Sequence, residues 1–560
     1  MAQRTKQAPR SPARARGAKS KTPARKSAAA ARARFHVLAS DKISDAGLDI
    51  LRAAPQIAVT SKTDYTPDGL ANAIGKFDAL VVRSQTKVTA DIIAAAKKLQ
   101  VIARAGVGVD NIDVPAATRR GIVVINSPGG NTIAATEHTI ALILALSRNI
   151  PRADASMARG EWKRSDFMGV EVYNKTLGVI GLGKIGAEVA KRARALGMRV
   201  LAFDPFVSRE QAERIGAETV ELPALLKEAD YITLHIPKTK ETAGMIGAKE
   251  LAAAKKGVRV INVSRGGLVD EAALAAAVKS GKVAGAAVDV YEQEPPKDSP
   301  LVGLENVILT PHLGASTEEA QVKVATDVCA QVLDVLQGRP ARTAVNVSPV
   351  PSEALAGLEP YLLLGQKLGR LLGHLAEGRF SQVEVTYSGE VADLQVSAIT
   401  PALLQGLLEP FLEEPVNLVN AGYIAESRGI TVTESRSSAP ADYTTLVSAT
   451  VTGDGVKTSA AGTLFGKKEM RVVMIDDYRV DFVPQGYMLI AVHHDMPGVI
   501  GKVGTILGGK DINIGGMNVG RKTRRGRAVM ALAVDDPIPG AVLKRLGQVS
   551  GMEKCWLVEL

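Results

Sequence analysis

A glycine triplet, one acid and three polar residues that follow apolar runs carry the chemistry legible in this chain. Gly181-Leu182-Gly183-Lys184-Ile185-Gly186 directly follows the apolar run Thr176–Ile180 and opens a helix-like stretch ending at Leu196. Asp204 ends the next apolar run, 18 residues after Gly186. That order fits a dinucleotide site. The first glycine permits a tight turn, the second lets backbone approach a pyrophosphate, and the third lets helix pack on strand. The helix N-terminus offers N–H donors and a positive dipole to the phosphates. Asp204 would accept from adenosine ribose hydroxyls and repel a 2′-phosphate, which favours NAD over NADP.

Three further residues stand just beyond later apolar runs: Arg265 after 258–264, Glu294 after 284–290, and His312 after 306–310. Hydride transfer from an alcohol needs a base for the hydroxyl proton. A histidine beside a carboxylate can do that work, and an arginine can hold a neighbouring carboxylate with two hydrogen bonds.

These residues need a scaffold that brings strand ends together. Short apolar runs at 35–40, 78–83, 99–106 and 121–127 alternate with helix-like segments such as 43–54. Six more runs, at 176–181, 199–204, 231–236, 258–264, 284–290 and 306–310, repeat the alternation. The pattern predicts α/β architecture, two doubly wound parallel sheets with helices on both faces. A helix over 317–338 follows. Residues 341–485 mix helical stretches with alternating strands, an α+β pattern, and 487–560 reads β-α-β-β-α-β, the ferredoxin-like order. In that last unit the first helix is expected to start at Pro497.

Composition agrees with several soluble domains. The chain has 560 residues, 46% hydrophobic and 23% charged, which excludes fibrous and wholly disordered classes. The net charge of +11 comes entirely from residues 1–34, which hold eleven Lys/Arg and no acid. The other 526 residues balance 58 basic against 58 acidic groups, so the charge describes a tail rather than a nucleic-acid face. That Ala-rich basic tail should be disordered, as a solvated segment or a transit peptide. The run Arg521–Arg527 reads as an exposed hairpin loop, because no aromatics interleave it for base stacking. Two cysteines fit a reducing, cytoplasmic setting, and no apolar run approaches the ~20 residues of a membrane span.

The blocks GLGKIG (181–186), VSRGGLVDE (263–271), DVYEQEPP (289–296) and PHLGAS (311–316) closely resemble the D-isomer-specific 2-hydroxyacid dehydrogenases. VRSQTKVT (82–89), RAGVGVDNID (104–113) and the C-terminal half resemble the long-form branch acting on 3-phosphoglycerate, a serine-pathway enzyme regulated by L-serine. The resemblance covers residues 35–560, and with the tail read from composition it gives five parts. They are a basic tail (1–34), a substrate-binding domain (35–127 plus 311–340), an NAD-binding Rossmann domain (128–310), an intervening domain (341–485) and an ACT domain (486–560).

It further implies His312 as general acid/base, Glu294 as its orienting carboxylate and Arg265 as the carboxylate clamp. Cofactor contacts are expected from Val107, Lys184, Ile185, Ile236, Val263, Ser264, Arg265 and Asp289. His312, Leu313, Gly314 and Ala315 complete them, beside Gly181, Gly183, Gly186 and Asp204. Arg83, Arg104 and Asn131 are the expected substrate residues, with Lys163 and Arg164 as weaker candidates. The ACT-like unit offers His493, Asp495 and Asn513 for an L-serine effector, and Lys467 and Lys468 are candidate anion contacts of the intervening unit. A homo-oligomer, tetramer or dimer, is expected, with no metal, membrane or specific nucleic-acid partner. Two alternatives share the fold: a dehydrogenase of another 2-hydroxy acid, such as glyoxylate or 2-hydroxyglutarate, and an NAD-sensing corepressor.

Overall fold

The computed structural model describes residues 34–347, 352–413, 415–437, 442–466 and 468–560. The basic tail, apart from Arg34, and Lys467 lie outside them. Among the described residues no helix is long and apolar enough to cross a membrane.

The first sheet holds five parallel strands, β1 (Phe35–Ala39), β2 (Ile57–Ser61), β3 (Ala79–Val82), β4 (Val101–Arg104) and β5 (Val123–Ile125). Their order is β2-β1-β3-β4-β5, one of the two common doubly wound arrangements. The edge strand β2 has no counterpart among the predicted runs. IAVTS follows a proline and buries only Ile57 fully, so its apolar signal is weak. β3 is buried at all four positions, as a strand covered on both faces must be.

The second sheet is also fully parallel: β6 (Thr176–Ile180), β7 (Arg199–Phe203), β8 (Glu218–Thr219), β9 (Tyr231–Leu234), β10 (Val258–Asn262), β11 (Val283–Val288) and β12 (Val307–Leu309). The order β12-β11-β10-β9-β6-β7-β8 reverses direction beside β6, which is where such sheets bind dinucleotides. The seventh strand, β8, is only two residues long, too short to leave a periodic signal.

Two helices tie the sheets together. Thr132–Ser147 leaves the first sheet and packs Leu142, Ile143 and Leu146 onto the second. Glu318–Leu336, capped by Thr317 on the Ala320 N–H, returns the chain to the first. Its Val324, Val328 and Val332 share a core with Val37, Leu48 and Val81. A Cβ at Gly47 would lie 2.6 Å from the Ala325 backbone, so that helix contact depends on glycine. The chain is then pinned by a bridge between Ile125 and Ala344.

A mixed six-stranded sheet follows, ordered β14-β13-β15-β16-β17-β18, from β13 (Phe380–Gly389), β14 (Thr431–Ser437), β15 (Thr445–Gly453), β16 (Val456–Phe465), β17 (Glu469–Ile475) and β18 (Tyr478–Phe482). The last unit is the expected βαββαβ: β19 (Tyr487–His494), β20 (Ile514–Arg521), β21 (Arg527–Val534) and β22 (Met552–Glu559), ordered β20-β21-β19-β22. Its first helix begins at Val499 rather than Pro497, because Gly498 turns the chain in a left-handed conformation (φ +91°).

Candidate active site

Both parallel sheets aim the C-terminal ends of their strands at one cleft, where open α/β sheets place ligands. The glycine loop leaves β6 there. Gly181 is left-handed (φ +91°), and a Cβ on it would sit 2.5 Å from Ile236. A Cβ on Gly186 would fall 2.0 Å from the Gly181 carbonyl, so the helix Lys184–Ala195 can only start this close to the strand with glycine. Gly183 is the opposite case, exposed with nothing within 4 Å of its missing side chain. No side chain caps this helix, and no acid lies in its first turn. Its N–H groups are therefore left for a ligand's phosphates.

Asp204 faces the same loop, accepting from the Leu182 N–H (2.7 Å) and the Phe206 N–H (2.9 Å). The loop, the bare helix start and this carboxylate fit an NAD pyrophosphate and adenosine ribose. Asp204→Ala is expected to weaken NAD and relax rejection of NADP, narrowing the kcat/KM ratio about tenfold or more, the scale of lost charged hydrogen bonds. Steady-state rates with both cofactors measure it, and an unchanged ratio would assign discrimination elsewhere.

Beyond the loop lies a cavity of about 300 Å³. Val107 lines it from the first lobe, Asn131 from the start of the linking helix Thr132–Ser147, and Lys184, Ile185 and Ile236 from the second lobe. Val263, Ser264 and Arg265 meet them from the end of β10, and His312, Gly314 and Ala315 from the end of β12. Asn131 Oδ1 is buried there without a hydrogen bond among the described residues. Such an orphaned acceptor signals a ligand donor.

His312 is held in a left-handed backbone conformation (φ +54°), uncommon for a non-glycine residue. Asp289 over-determines it. The Asp289 carbonyl accepts from the His312 N–H, while its carboxylate accepts from the N–H groups of Leu313 (2.7 Å) and Gly314 (2.9 Å). Burial alone would raise this carboxyl. His138 at 3.3 Å, Thr310 and the two N–H groups hold it below the usual carboxylate range instead. Asp289 is fully buried, so in this structure it shapes the loop and does not line the cavity. Leu313 is likewise outside the lining, contributing its N–H to that loop.

The His312 Nδ1 lies 2.9–3.0 Å from both Glu294 oxygens. Nε2 makes no hydrogen bond among the described residues, leaving it for substrate. Burial pushes Glu294 up, but the His312 hydrogen bond and charge prevail and lower it. The carboxylate therefore stays ionised at neutral pH and accepts from Nδ1, which fixes the orientation of the imidazole.

Arg265 reaches across the cleft. Its Nη1 donates to the Ser264 carbonyl and its Nε to Asp110 (3.1 Å), while a Cβ on Gly108 would lie 2.0 Å from Nη2. Asn262 braces the turn, donating to the Arg265 carbonyl and accepting from Ser264 N–H. Arg104 donates from Nε to Asn111 (2.8 Å), and the same Asn111 donates to the carbonyls of Arg83 and Thr86. Burial, then repulsion from Arg265 and Arg83, brings Arg104 down to about 10. Burial also lowers Arg83, against the attraction of Asp41. Arg104 thus feels the charge of both Arg265 and Arg83, but of the three only Arg265 lines the cavity.

Lys163 and Arg164 are not brought here. Both are exposed, away from the cavity lining, and Lys163 pairs with Glu161.

Sequence reasoning passed over three participants. His235 lines the cavity at the end of β9, and burial drives it down to about 4, so its ring is neutral at physiological pH. Its position directly beyond an apolar strand was the available signal. Asp110 and His138 carried no local signal, since each acts through a residue more than 150 positions away.

The proposed effector residues do not converge within one chain. His493 and Asp495 stand where β19 ends, whereas Asn513 precedes β20 at the opposite end of the sheet, where Ile514 and Tyr487 both pair with Val534. Asn513 donates to Asp535 and Asp495 accepts from Arg521 (2.6 Å). His493 is buried with Nε2 unpartnered. Lys468 is exposed on the turn between β16 and β17.

Comparison with known proteins covers most of this architecture. Residues 140–314 match the family model described as D-isomer specific 2-hydroxyacid dehydrogenase, NAD binding domain. Residues 357–476 match the D-3-phosphoglycerate dehydrogenase intervening domain, and 487–551 the ACT domain. The chain is 49% identical over 525 residues to D-3-phosphoglycerate dehydrogenase of Synechocystis, covering 94% of each chain. It is 48% identical to that of Archaeoglobus fulgidus, covering 94% of this chain and all of the relative. Among solved structures, a D-lactate dehydrogenase from Aquifex aeolicus complexed with NAD and lactic acid superposes with a TM-score of 0.50 at 30% identity. That match covers 54% of this chain and 96% of the other. A glyoxylate reductase from Paecilomyes thermophila gives 0.51 at 29% identity, covering 56% and 98%.

Proposed function

Because the chain belongs to the D-3-phosphoglycerate dehydrogenases, NAD-dependent oxidoreductases of the D-isomer-specific 2-hydroxyacid family, we propose that it oxidises 3-phospho-D-glycerate to 3-phosphohydroxypyruvate at the head of L-serine synthesis. The observation that carries this substrate is the nearness of Arg104, itself outside the cavity lining, to both Arg83 and the cavity-lining Arg265. A plain 2-hydroxy monocarboxylate needs one clamp; a phosphorylated one needs cations at both ends.

The nicotinamide, when bound, supplies the hydride acceptor. Arg265 holds the substrate carboxylate and draws electron density from C2. His312 Nε2 takes the hydroxyl proton as the C2–H bond breaks, and the C2–O bond becomes a carbonyl. Glu294 balances the charge the imidazole acquires. Arg104 and Arg83 hold the phosphate. Asn131 offers its unpartnered Oδ1 to a ligand donor. His235 keeps a neutral polar wall, so a second cation does not oppose the positive nicotinamide ring.

Arg104→Leu is expected to raise KM for 3-phosphoglycerate by about tenfold or more, the scale of one charged hydrogen bond. It should leave kcat for unphosphorylated 2-hydroxy acids little changed. Steady-state rates with 3-phosphoglycerate, 2-hydroxyglutarate and glyoxylate decide the substrate; preference for an unphosphorylated acid would overturn it.

The same assay run with L-serine tests feedback through the ACT unit. Asp495 supports that reading by residue type, though a serine ammonium must compete with Arg521 for it. Engaging Asn513 as well needs a second copy of the chain, consistent with a homo-oligomer.

A further inference from the structure

A cavity of about 810 Å³ lies apart from the catalytic cleft. It opens between the first lobe and the intervening unit, whose Asn417 donates across the junction to the Gly121 carbonyl (2.8 Å). Five cations line it, Lys97, Lys98, Arg119, Arg120 and Arg339, and no Asp or Glu does. Arg339 is neutralised by Asp334 (2.6 Å). Arg120 donates only to the carbonyls of Ala94 and Ala96, so its charge is uncompensated. Lys97, Lys98 and Arg119 have no ion pair or side-chain hydrogen bond among the described residues. Four unneutralised cations around one concavity raise the local concentration of anions. The walls behind them are apolar, with Ile122 from the first lobe facing Leu362 and Leu418 of the intervening unit. Convergent charge over an apolar floor is the composition of a small-molecule pocket.

We propose that this junction is a second ligand site, taking a small organic dianion whose phosphate or paired carboxylates meet Lys97, Lys98, Arg119 and Arg120 while its hydrocarbon body lies against Ile122, Leu362 and Leu418. The site shares no residue with the catalytic cleft, so it stands or falls apart from the substrate assignment. Because its two sides come from different folded units, an occupant couples their relative position to ligand concentration.

Titration calorimetry on the full chain tests it, with phenyl phosphate and phthalate as organic dianions and inorganic phosphate as the bare anion. Binding of phenyl phosphate or phthalate is expected, weakened by about tenfold or more in Lys97→Glu/Arg119→Glu, a loss of two charge-assisted contacts. The milder Lys97→Gln/Arg119→Gln guards against misfolding, and turnover should be unchanged in both variants because neither residue touches the cleft. Arg104→Leu should retain the binding, which separates this site from the catalytic anion site. Inorganic phosphate should bind more weakly than either organic probe. The proposal fails if neither organic dianion binds, if the charge variants bind them as the parent does, or if binding is lost only with Arg104→Leu.

Discussion

Turnover of 3-phosphoglycerate is expected to fall by roughly 10²–10⁴-fold in His312→Ala, the span that a positioned acid/base contributes. NAD affinity should change far less, because the helix start and Asp204 remain. The argument is geometric first. Nδ1 is committed to Glu294 at 2.9–3.0 Å, so only Nε2 can exchange a proton with substrate. Glu294→Gln then offers a finer readout. It keeps a hydrogen-bonding group beside Nδ1 but removes the negative charge that balances the proton the imidazole takes from substrate, so kcat/KM in the oxidation direction should fall while NAD affinity stays near that of the parent. The sign for stability follows from the lowered Glu294. A carboxyl depressed in the folded state stabilises above its ordinary range, and that contribution disappears as pH falls through the folded value. The glutamine variant should therefore lose less stability than the parent between neutral pH and acid. Near-normal kcat/KM in Glu294→Gln, or near-normal turnover in His312→Ala, would remove this pair from the chemistry.

What could be read from the chain without coordinates was whatever depends on local order. The glycine spacing, the alternation of apolar runs and helices, and the polar residues beyond Asn262, Val288 and Leu309 each depend only on one strand and the segment that directly follows it. Their placement at strand ends follows from the sheet rule alone. The edge strands β2 and β8 were not legible, being short and half-exposed, with little apolar pattern to register. The electrostatics were also hidden. Asp110 meets Arg265 only because two lobes close on each other, and Asp289 holds the His312 loop through backbone groups 24 and 25 residues onward. In the ACT unit the limitation was directional. Asp495 and Asn513 flank one helix in sequence, and because that helix runs along the strands, they end up at opposite ends of the sheet.

Arg265→Ala is expected to lower kcat/KM for 3-phosphoglycerate by about 10²–10³-fold, since truncating one partner of a desolvated charge pair costs roughly 2–5 kcal/mol. Arg265→Lys should recover only part of this loss, because an ammonium cannot present two parallel donors to a carboxylate. The guanidinium's position matters as much as its charge. Its Nη2 occupies space next to Gly108, where a methyl group would lie only 2.0 Å away. Gly108→Ala must therefore push Arg265 aside, or tilt the loop that carries Asp110, without removing any charge. The alanine at 108 should reproduce much of the Arg265→Ala defect in kcat/KM while NAD binding stays near that of the parent. If Gly108→Ala turned over normally, the clamp would not need its place against the first lobe. Substrate would then be held by Arg83 and Arg104 alone, and the cleft would bind its acid by the phosphate end only.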